Sequence, residues 1–324
     1  MNRQADVTEL TVWYRGVTEA RLGRRLVGEL AAAARREGMH AQAFDNYADS
    51  PDRVNVPCRS YARISGAPIL EPYLYVNETP SIVVVTEATL AKGCHVLAGL
   101  KPPGILVVNT ASAPEQILDV LADVDLTALH TVATIDAGPG ARPRLPYGAG
   151  EGAEDRLLDP GPGGALLGAV ARASGVVSVE SLRAVDVDHE GLQRGFEQVQ
   201  ILVNPTYRGG THAEMPQEGY RGTVDLIIKA PLLNGVNEGH ISGNYRVLRP
   251  VIDLEHCTAC GICWIYCPDA AISMPGPQGE KIWVNYDYCK GCGICWQECN
   301  VRGAIRAEPE LDFRGGMVRL TYGL

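Results

Sequence analysis

The sequence predicts an α/β domain with a parallel sheet, followed by a smaller, cysteine-rich α+β domain. Three observations support this prediction. Short apolar, β-branched runs alternate with amphipathic segments over the first 200 or so residues. A length of 324 residues suits one full domain and a smaller one. Finally, eight of the ten cysteines fall between Cys257 and Cys299.

Apolar runs in the N-terminal part predict the strands of the first domain. They lie at Leu10–Tyr14, Ser81–Thr86, Ile105–Asn109 and Thr131–Asp136. Helical spacing of apolar residues predicts a helix capped by Thr18 and closed by Gly38, and further helices over 88–100, 114–122, 165–173 and 190–201. This order of strands and helices indicates a parallel sheet covered by helices, in a domain that ends near residue 203.

Two stretches lack regular periodicity. The segment 138–164 is rich in Gly and Pro and predicts a long surface loop. Residues 204–249 predict an extended arm, which either packs on partners or serves as a plain tether. We therefore expect three parts: an α/β domain over 1–203, an arm over 204–249 and a metal-binding domain over 250–324.

Composition excludes some classes of protein. A formal net charge of −9 disfavours nucleic acid as a partner, since phosphate binding requires clustered Lys and Arg. No stretch approaches the roughly 20 apolar residues of a membrane span, and the first residues lack the apolar core of a signal peptide. We expect a cytoplasmic protein with protein partners.

The cysteines of the C-terminal part follow a repeated spacing. Cys257, Cys260, Cys263 and Cys267 precede Pro268 and form C-x2-C-x2-C-x3-C-P, and Cys289, Cys292, Cys295 and Cys299 repeat the spacing with Asn300 in place of the proline. In this pattern three thiolates bind one 4Fe–4S cluster and the fourth reaches the other cluster. The predicted ligand sets are therefore Cys257, Cys260, Cys263 and Cys299 for cluster 1, and Cys289, Cys292, Cys295 and Cys267 for cluster 2.

The residues around the cysteines fit a low-potential centre. Gly261 and Gly293 let backbone amides approach the sulfides, where they stabilise the reduced cluster, whereas Trp264 and Trp296 are expected to exclude water and thereby lower the potential. A pair of zinc sites is the alternative, but zinc ribbons usually space two C-x2-C pairs with a loop between them. We expect the cluster beside Asn300 to survive the loss of the proline.

Cys58 and Cys94, isolated along the chain, are interpreted as buried apolar residues.

The loop Arg15–Ala20 follows the first strand, where α/β folds often bind phosphate at a helix N-terminus. It lacks the glycines of G-x-G-x-x-G and of G-x-x-x-x-G-K-[ST], so a plain connection between strand and helix is favoured over a nucleotide site.

The order of parts, with the arm segment Gly243–Val251 and the motif Asp287–Cys295, resembles the fused gamma and delta subunits of 2-oxoacid:ferredoxin oxidoreductases. In the first domain the resemblance rests on segments 41–45, 61–65, 101–110, 168–169 and 175–177. It implies an electron-transfer subunit of a larger enzyme. The clusters would pass electrons to a soluble ferredoxin, while alpha- and beta-type subunits would hold thiamine diphosphate and Mg²⁺, for which this chain has no G-D-G followed by N-N.

Two departures from the family pattern bear on the substrate. The loop Arg15–Ala20 lacks the glycines that pyruvate-type members usually carry, and Tyr47–Arg53 departs from the E-x-R-G-G-like loop. These departures suggest the oxalate oxidoreductase branch, in which oxalate becomes carbon dioxide without coenzyme A. Pyruvate or another 2-oxoacid with coenzyme A is the alternative. A ferredoxin-type carrier or adaptor of a different redox complex, or a zinc-stabilised interaction module, would be a different class of protein.

Overall fold

The structure of the protein, a computed structural model, describes residues 7–45, 55–70, 76–138, 162–186, 188–209, 241–273 and 282–315. The described residues up to 209 form one compact unit, and those from 241 to 315 form a second. Within the described residues, no helix combines the length and the apolar character needed to cross a membrane.

The first unit alternates strands with helices. Its elements are β1 (Thr8–Arg15), α1 (Gly16–Arg36), β2 (His40–Asp45), β3 (Pro57–Ser65), β4 (Ile82–Val85), α2 (Thr89–Gly93), β5 (Gly104–Asn109), α3 (Pro114–Val120), β6 (Leu129–Ile135), α4 (Gly163–Ser174), α5 (Val179–Arg183), α6 (His189–Gln198) and β7 (Gln200–Val203).

These strands form one seven-stranded sheet in the order β2-β3-β1-β4-β5-β6-β7. The four central strands β1, β4, β5 and β6 run parallel, which confirms the predicted α/β class. The sheet is nevertheless mixed. Strand β3 pairs antiparallel with β1 and β2, and β7 pairs antiparallel with β6.

The core of this unit is buried on the parallel strands. Val12, Val84, Val107 and Ala133 have no solvent exposure and pack in one cluster with apolar residues of α1 and α4. Central parallel strands buried on both faces need nearly continuous apolar runs. That requirement explains why periodicity predicted these strands.

Three helix predictions need correction. The first helix begins at Gly16 with Arg15 as its N-cap, so Thr18 lies within the first turn and is not the cap. The helix predicted over 88–100 covers only Thr89–Gly93, because the backbone becomes extended at Cys94. The helix predicted over 190–201 ends at Gln198, and Ile201 belongs to β7.

The second unit is small and has little regular structure. It contains β8 (Leu248–Ile252), α7 (Ile262–Ile265), α8 (Ile294–Gln297) and β9 (Ile305–Pro309), with 3₁₀ turns at Gly243–Tyr245 and Glu310–Asp312. Strands β8 and β9 pair antiparallel. An isolated antiparallel bridge also joins Ile272 to Val284. The predicted α+β character is confirmed.

Several sequence predictions fall wholly or largely outside the described residues: most of the loop 138–164, residues 210–240 of the arm, and the segment Tyr47–Arg53. The described end of the arm packs within the second unit, since the Gly243 amide donates to the Asp287 carbonyl at 2.8 Å. A Cβ at Gly243 would lie 2.3 Å from the Tyr286 carbonyl oxygen. Glycine is therefore required for this close approach. The three-part division of the chain stays a prediction.

Candidate metal centre

The two cysteine motifs lie on matching turns. Gly261 and Gly293 adopt left-handed conformations, with φ of 78° and 90°, and each precedes a four-residue helix. Glycine adopts this conformation without the penalty that a Cβ imposes. Each turn places the third cysteine of its motif, Cys263 or Cys295, at the second position of the helix, where the side chain is buried.

The four thiols predicted for cluster 1 line one cavity. The space without protein atoms measures about 320 Å³, part of it open to solvent. Its lining comprises Cys257, Thr258, Cys260, Ile262, Cys263, Ile282, Cys299, Asn300, Val301, Ala304 and Ile305. Cys299 belongs to the second motif, so the fold brings it to the three cysteines of the first. Four thiols around an otherwise largely apolar space fit the ligand chemistry of an iron–sulfur cluster.

The four thiols predicted for cluster 2 also lie close to one another. Burial raises the pKa of Cys289, and Cys267 and Cys292 are near enough to raise it further. Burial likewise raises the pKa of Cys295 to about 12, with a further contribution from Cys289 and Cys292. Cys267, from the first motif, thus lies with the second motif. Because metal ligation requires thiolates, metal must displace protons from these buried thiols.

The two sets of thiols meet at an apolar cluster. Cys263 and Cys295 pack with buried Ile272 and Ile282, and Trp296 packs against the cluster from its edge. Trp264 does not fulfil the same role, since 41% of its surface is exposed. The expectation that Trp264 excludes water is therefore wrong. Neighbouring residues on a helix point in different directions, so burial of Cys263 does not bury Trp264.

Asn300, where the first motif has Pro268, places an amide beside the first set. The Cys260 sulfur lies 3.8 Å from Asn300 Oδ1, and Asn300 lines the cavity. Cys260 and Cys292, the second cysteine of each motif, are the exposed members of the two sets.

Sequence reasoning missed a buried ion-pair cluster beside the second set. Arg246 and Arg249 both pair with Glu310, which has no solvent exposure. Arginines mostly lie at the surface and are seldom fully buried unless paired. Nothing in the sequence distinguishes these two arginines from surface ones. Arg246 also contacts the backbone of Cys289.

The connection between β1 and α1 holds a carboxylate of the protein itself. Glu19 is buried, and its Oε2 accepts from the Arg15 amide at 2.8 Å and from the Thr86 hydroxyl at 2.6 Å. An anion that binds at a helix N-terminus accepts hydrogen bonds from backbone amides of this kind. The plain connection between strand and helix stays a prediction.

The remaining two cysteines lie in the first unit. Cys94 is buried and Cys58 is half-buried, and burial raises the pKa of the Cys58 thiol to about 11. Cys94 fits the interpretation as a buried apolar residue, whereas Cys58 is only partly buried. Across the described ranges, no three His, Cys, Asp or Glu side chains are arranged to hold a single metal ion.

Comparison with known proteins matches both units of the chain. Residues 26–185 match the family model of pyruvate ferredoxin/flavodoxin oxidoreductase, and residues 249–300 match that of a 4Fe-4S dicluster domain. The chain is 32% identical over 184 residues to the pyruvate/ketoisovalerate oxidoreductases common subunit gamma of Pyrococcus abyssi, covering 53% of this chain and 88% of that subunit.

Two proteins of Thermotoga maritima are also similar. The pyruvate synthase subunit PorD is 44% identical over 79 residues, covering 24% of this chain and 77% of PorD. The crystal structure of the pyruvate oxidoreductase subunit PORC superposes with a TM-score of 0.43 at 23% identity, covering 60% of this chain and 98% of that subunit.

An α/β unit followed along the chain by a 4Fe–4S dicluster domain defines an iron–sulfur subunit of a redox enzyme. More particularly, this chain belongs to the pyruvate ferredoxin/flavodoxin oxidoreductase family, whose gamma-type members it covers over most of their length. It is a subunit of a 2-oxoacid:ferredoxin oxidoreductase.

Proposed function

We propose that this chain binds two 4Fe–4S clusters and carries electrons out of a thiamine diphosphate-dependent 2-oxoacid:ferredoxin oxidoreductase. Cys257, Cys260, Cys263 and Cys299 hold cluster 1. Cys289, Cys292, Cys295 and Cys267 hold cluster 2. The observation that carries this proposal is the cavity that collects the four thiols of the first set from both motifs.

The protein around the thiols has a distinct task. When bound, each cluster supplies one-electron chemistry. The chain's own residues ligate the clusters through thiolates and shield them from water at the shared apolar cluster of Ile272 and Ile282. Low solvent exposure disfavours the extra negative charge of a reduced cluster and lowers its potential.

The partners follow from the division of labour in the family. Alpha- and beta-type subunits hold thiamine diphosphate and Mg²⁺, and a soluble ferredoxin accepts the electrons. The relatives support an assembly of several subunits, since one is named as a common gamma subunit and another as subunit PorD. A cytoplasmic location stays a prediction.

A 2-oxoacid such as pyruvate is the first candidate substrate, because the relatives reported above are named for pyruvate and ketoisovalerate. Oxalate, oxidised without coenzyme A, is the second. One observation favours it: the buried carboxylate of Glu19 takes the amide and hydroxyl contacts at the start of α1, so this helix end offers no ready site for a coenzyme A phosphate.

The experiment is anaerobic purification of the complex from its source through a tag on this chain, with identification of the co-purifying subunits. We expect thiamine-binding alpha- and beta-type subunits, and ferredoxin reduction with pyruvate and coenzyme A or with oxalate alone. Turnover of pyruvate that depends on coenzyme A, without turnover of oxalate, excludes the oxalate hypothesis. A chain isolated without thiamine-binding partners, or with hydrogenase or flavoprotein subunits, contradicts the proposed role.

A further inference from the structure

A buried guanidinium group contacts one of the two ligand sets. The Arg246 side chain has no solvent exposure. Its Nη1 donates to the carbonyl oxygen of Cys289 at 2.5 Å and to that of Tyr286 at 2.7 Å. Gly291, between Cys289 and Cys292, makes room for the arginine stem, because a Cβ there would lie 2.8 Å from Arg246 Cγ. The positive charge is therefore held against the backbone of a predicted cluster 2 ligand.

An ion pair with Glu310 holds the Arg246 guanidinium in place, and Arg249 shares the same carboxylate. Arg246 Nε donates to Glu310 Oε2 at 2.5 Å, and Arg249 donates to the two oxygens of Glu310 at 2.9 and 2.6 Å. Arg249 also stacks between the rings of Tyr286 and Phe313, with its guanidinium carbon 4.2 and 4.3 Å from the ring centres. In the described part of the chain, two guanidinium groups thus share one carboxylate.

The surroundings of the first set differ in charge and in burial. A neutral amide, Asn300, lies beside Cys260. Close to Cys257 along the chain, Asp253 pairs with His256 and Arg306, whose side chains are 68% and 52% exposed. Water screens exposed charges of this kind, whereas a buried charge acts in a medium of lower dielectric constant. The two clusters therefore lie in electrostatically unequal sites.

We propose that Arg246 raises the reduction potential of the cluster held by Cys289, Cys292, Cys295 and Cys267, so that this cluster takes the first electron. The net charge around a cluster and the hydrogen bonds of its ligands set its potential. A nearby buried cation favours the reduced cluster, which carries one more negative charge. The inference rests on the proposed function, because it requires both clusters to be bound.

The proposed redox step is a one-electron transfer. One electron enters the cluster and no covalent bond forms or breaks. In the complex the electron comes from 2-oxoacid oxidation, and in the test it comes from dithionite. Glu310 has the opposite influence to Arg246, since its negative charge lies in the same buried group. Removal of either charge must therefore move the potential in opposite directions.

The test is a redox titration of the purified complex, followed by electron paramagnetic resonance, with R246Q and E310Q compared with the unaltered protein. R306Q, which removes a half-exposed charge near the other set, is the matched control. The variant C292S identifies the signal of cluster 2, because that signal changes or disappears. We expect R246Q to lower the higher of the two midpoint potentials by at least 59 mV, which corresponds to a tenfold change in the equilibrium constant for one-electron reduction.

The same midpoint potential should rise in E310Q. The lower midpoint potential should change much less in both variants, and R306Q should change either midpoint potential much less. Shifts in the same direction for both variants, no shift, or a higher midpoint assigned to the other cluster would overturn the inference. If R246Q loses iron, the shift of the midpoint potential in E310Q alone tests the inference. Loss of iron from both variants would contradict a role of these charges in setting the potential. An unaltered complex without about eight irons per chain refutes instead the proposed function.

Discussion

Cys299 lines the same cavity as Cys257, although the two residues belong to different cysteine motifs. This relationship predicts crossed ligation, which pairs of substitutions can test. Loss of Cys257 and Cys299 together should remove a single cluster, because both thiols serve the same one, and leave about four irons per chain. The double variant C289A/C299A should lose both clusters. Iron analysis and electron paramagnetic resonance measure the outcome, and the reverse result would show that each motif binds its own cluster.

Asn300 is predicted to be replaceable by the proline found in the first motif. Its amide lies 3.8 Å from the Cys260 sulfur and is not in the predicted ligand set. We expect N300P to keep about eight irons per chain, with at most a modest change in the signal of cluster 1. The matched variant P268N should behave in the same way. Loss of about half the iron from N300P would show that the asparagine is needed to retain the cluster.

Close helix contact predicts the cost of a methyl group at Gly195. A Cβ at this position of α6 would lie 1.9 Å from the carbonyl oxygen of Ala165 on α4. Overpacking of this kind costs about 1–3 kcal/mol, so G195A should lower the melting temperature by several degrees. Gly28 in α1 is the control, since nothing lies within 4 Å of its Cβ position. G28A should leave stability unchanged or raise it by up to about 1 kcal/mol. Equal effects of both substitutions would contradict the packing of α4 against α6.

Glu29 predicts a pH dependence of stability. Burial raises its pKa to about 7, against the opposing effect of Arg25, and the nearby Asp186 carboxylate adds to the rise. The folded protein therefore holds a proton that the unfolded chain loses near pH 4.5. The favourable contribution is complete below pH 4.5 and is lost as pH rises through about 7.

The variant E29Q removes this titration. We expect it to match the unaltered protein below pH 4.5 and to exceed it in stability by about 1–3 kcal/mol above pH 7. Melting temperatures of the full chain across this range measure the difference. A constant difference between the two proteins at every pH would show that Glu29 ionises normally.

The sequence predicted the central strands because burial on both faces demands apolar runs such as Ile105–Asn109. The predicted strands leave out the antiparallel strands β2, β3 and β7. The residues of β2 and β7 are mostly half-buried or exposed and show no alternation, and polar residues such as Arg59 and Arg63 interrupt the apolar pattern of β3. The predicted helix includes Ile201 because the apolar spacing of α6 continues past the end of that helix. The backbone change at Val199, with φ of −59° and ψ of 128°, has no marker in the residues themselves.

The candidate site was more accessible to sequence reasoning than the fold. Ligand spacing is local, so the cysteines identified both motifs, and the known crossing of the fourth cysteine predicted the partner of each set. The charges that distinguish the two sets could not be predicted. Arg246 and Glu310 lie far apart along the chain, and the pairing of β8 with β9 helps to bring their neighbourhoods together.

The proposed function requires eight thiolates in two interleaved sets to hold two iron–sulfur cubes. The iron, labile sulfide and zinc contents of the anaerobically purified chain show whether they do. Two bound cubes correspond to about eight irons and eight sulfides per chain, with little zinc. Zinc in place of iron, or disulfides among the eight cysteines in a fully occupied preparation, would contradict it.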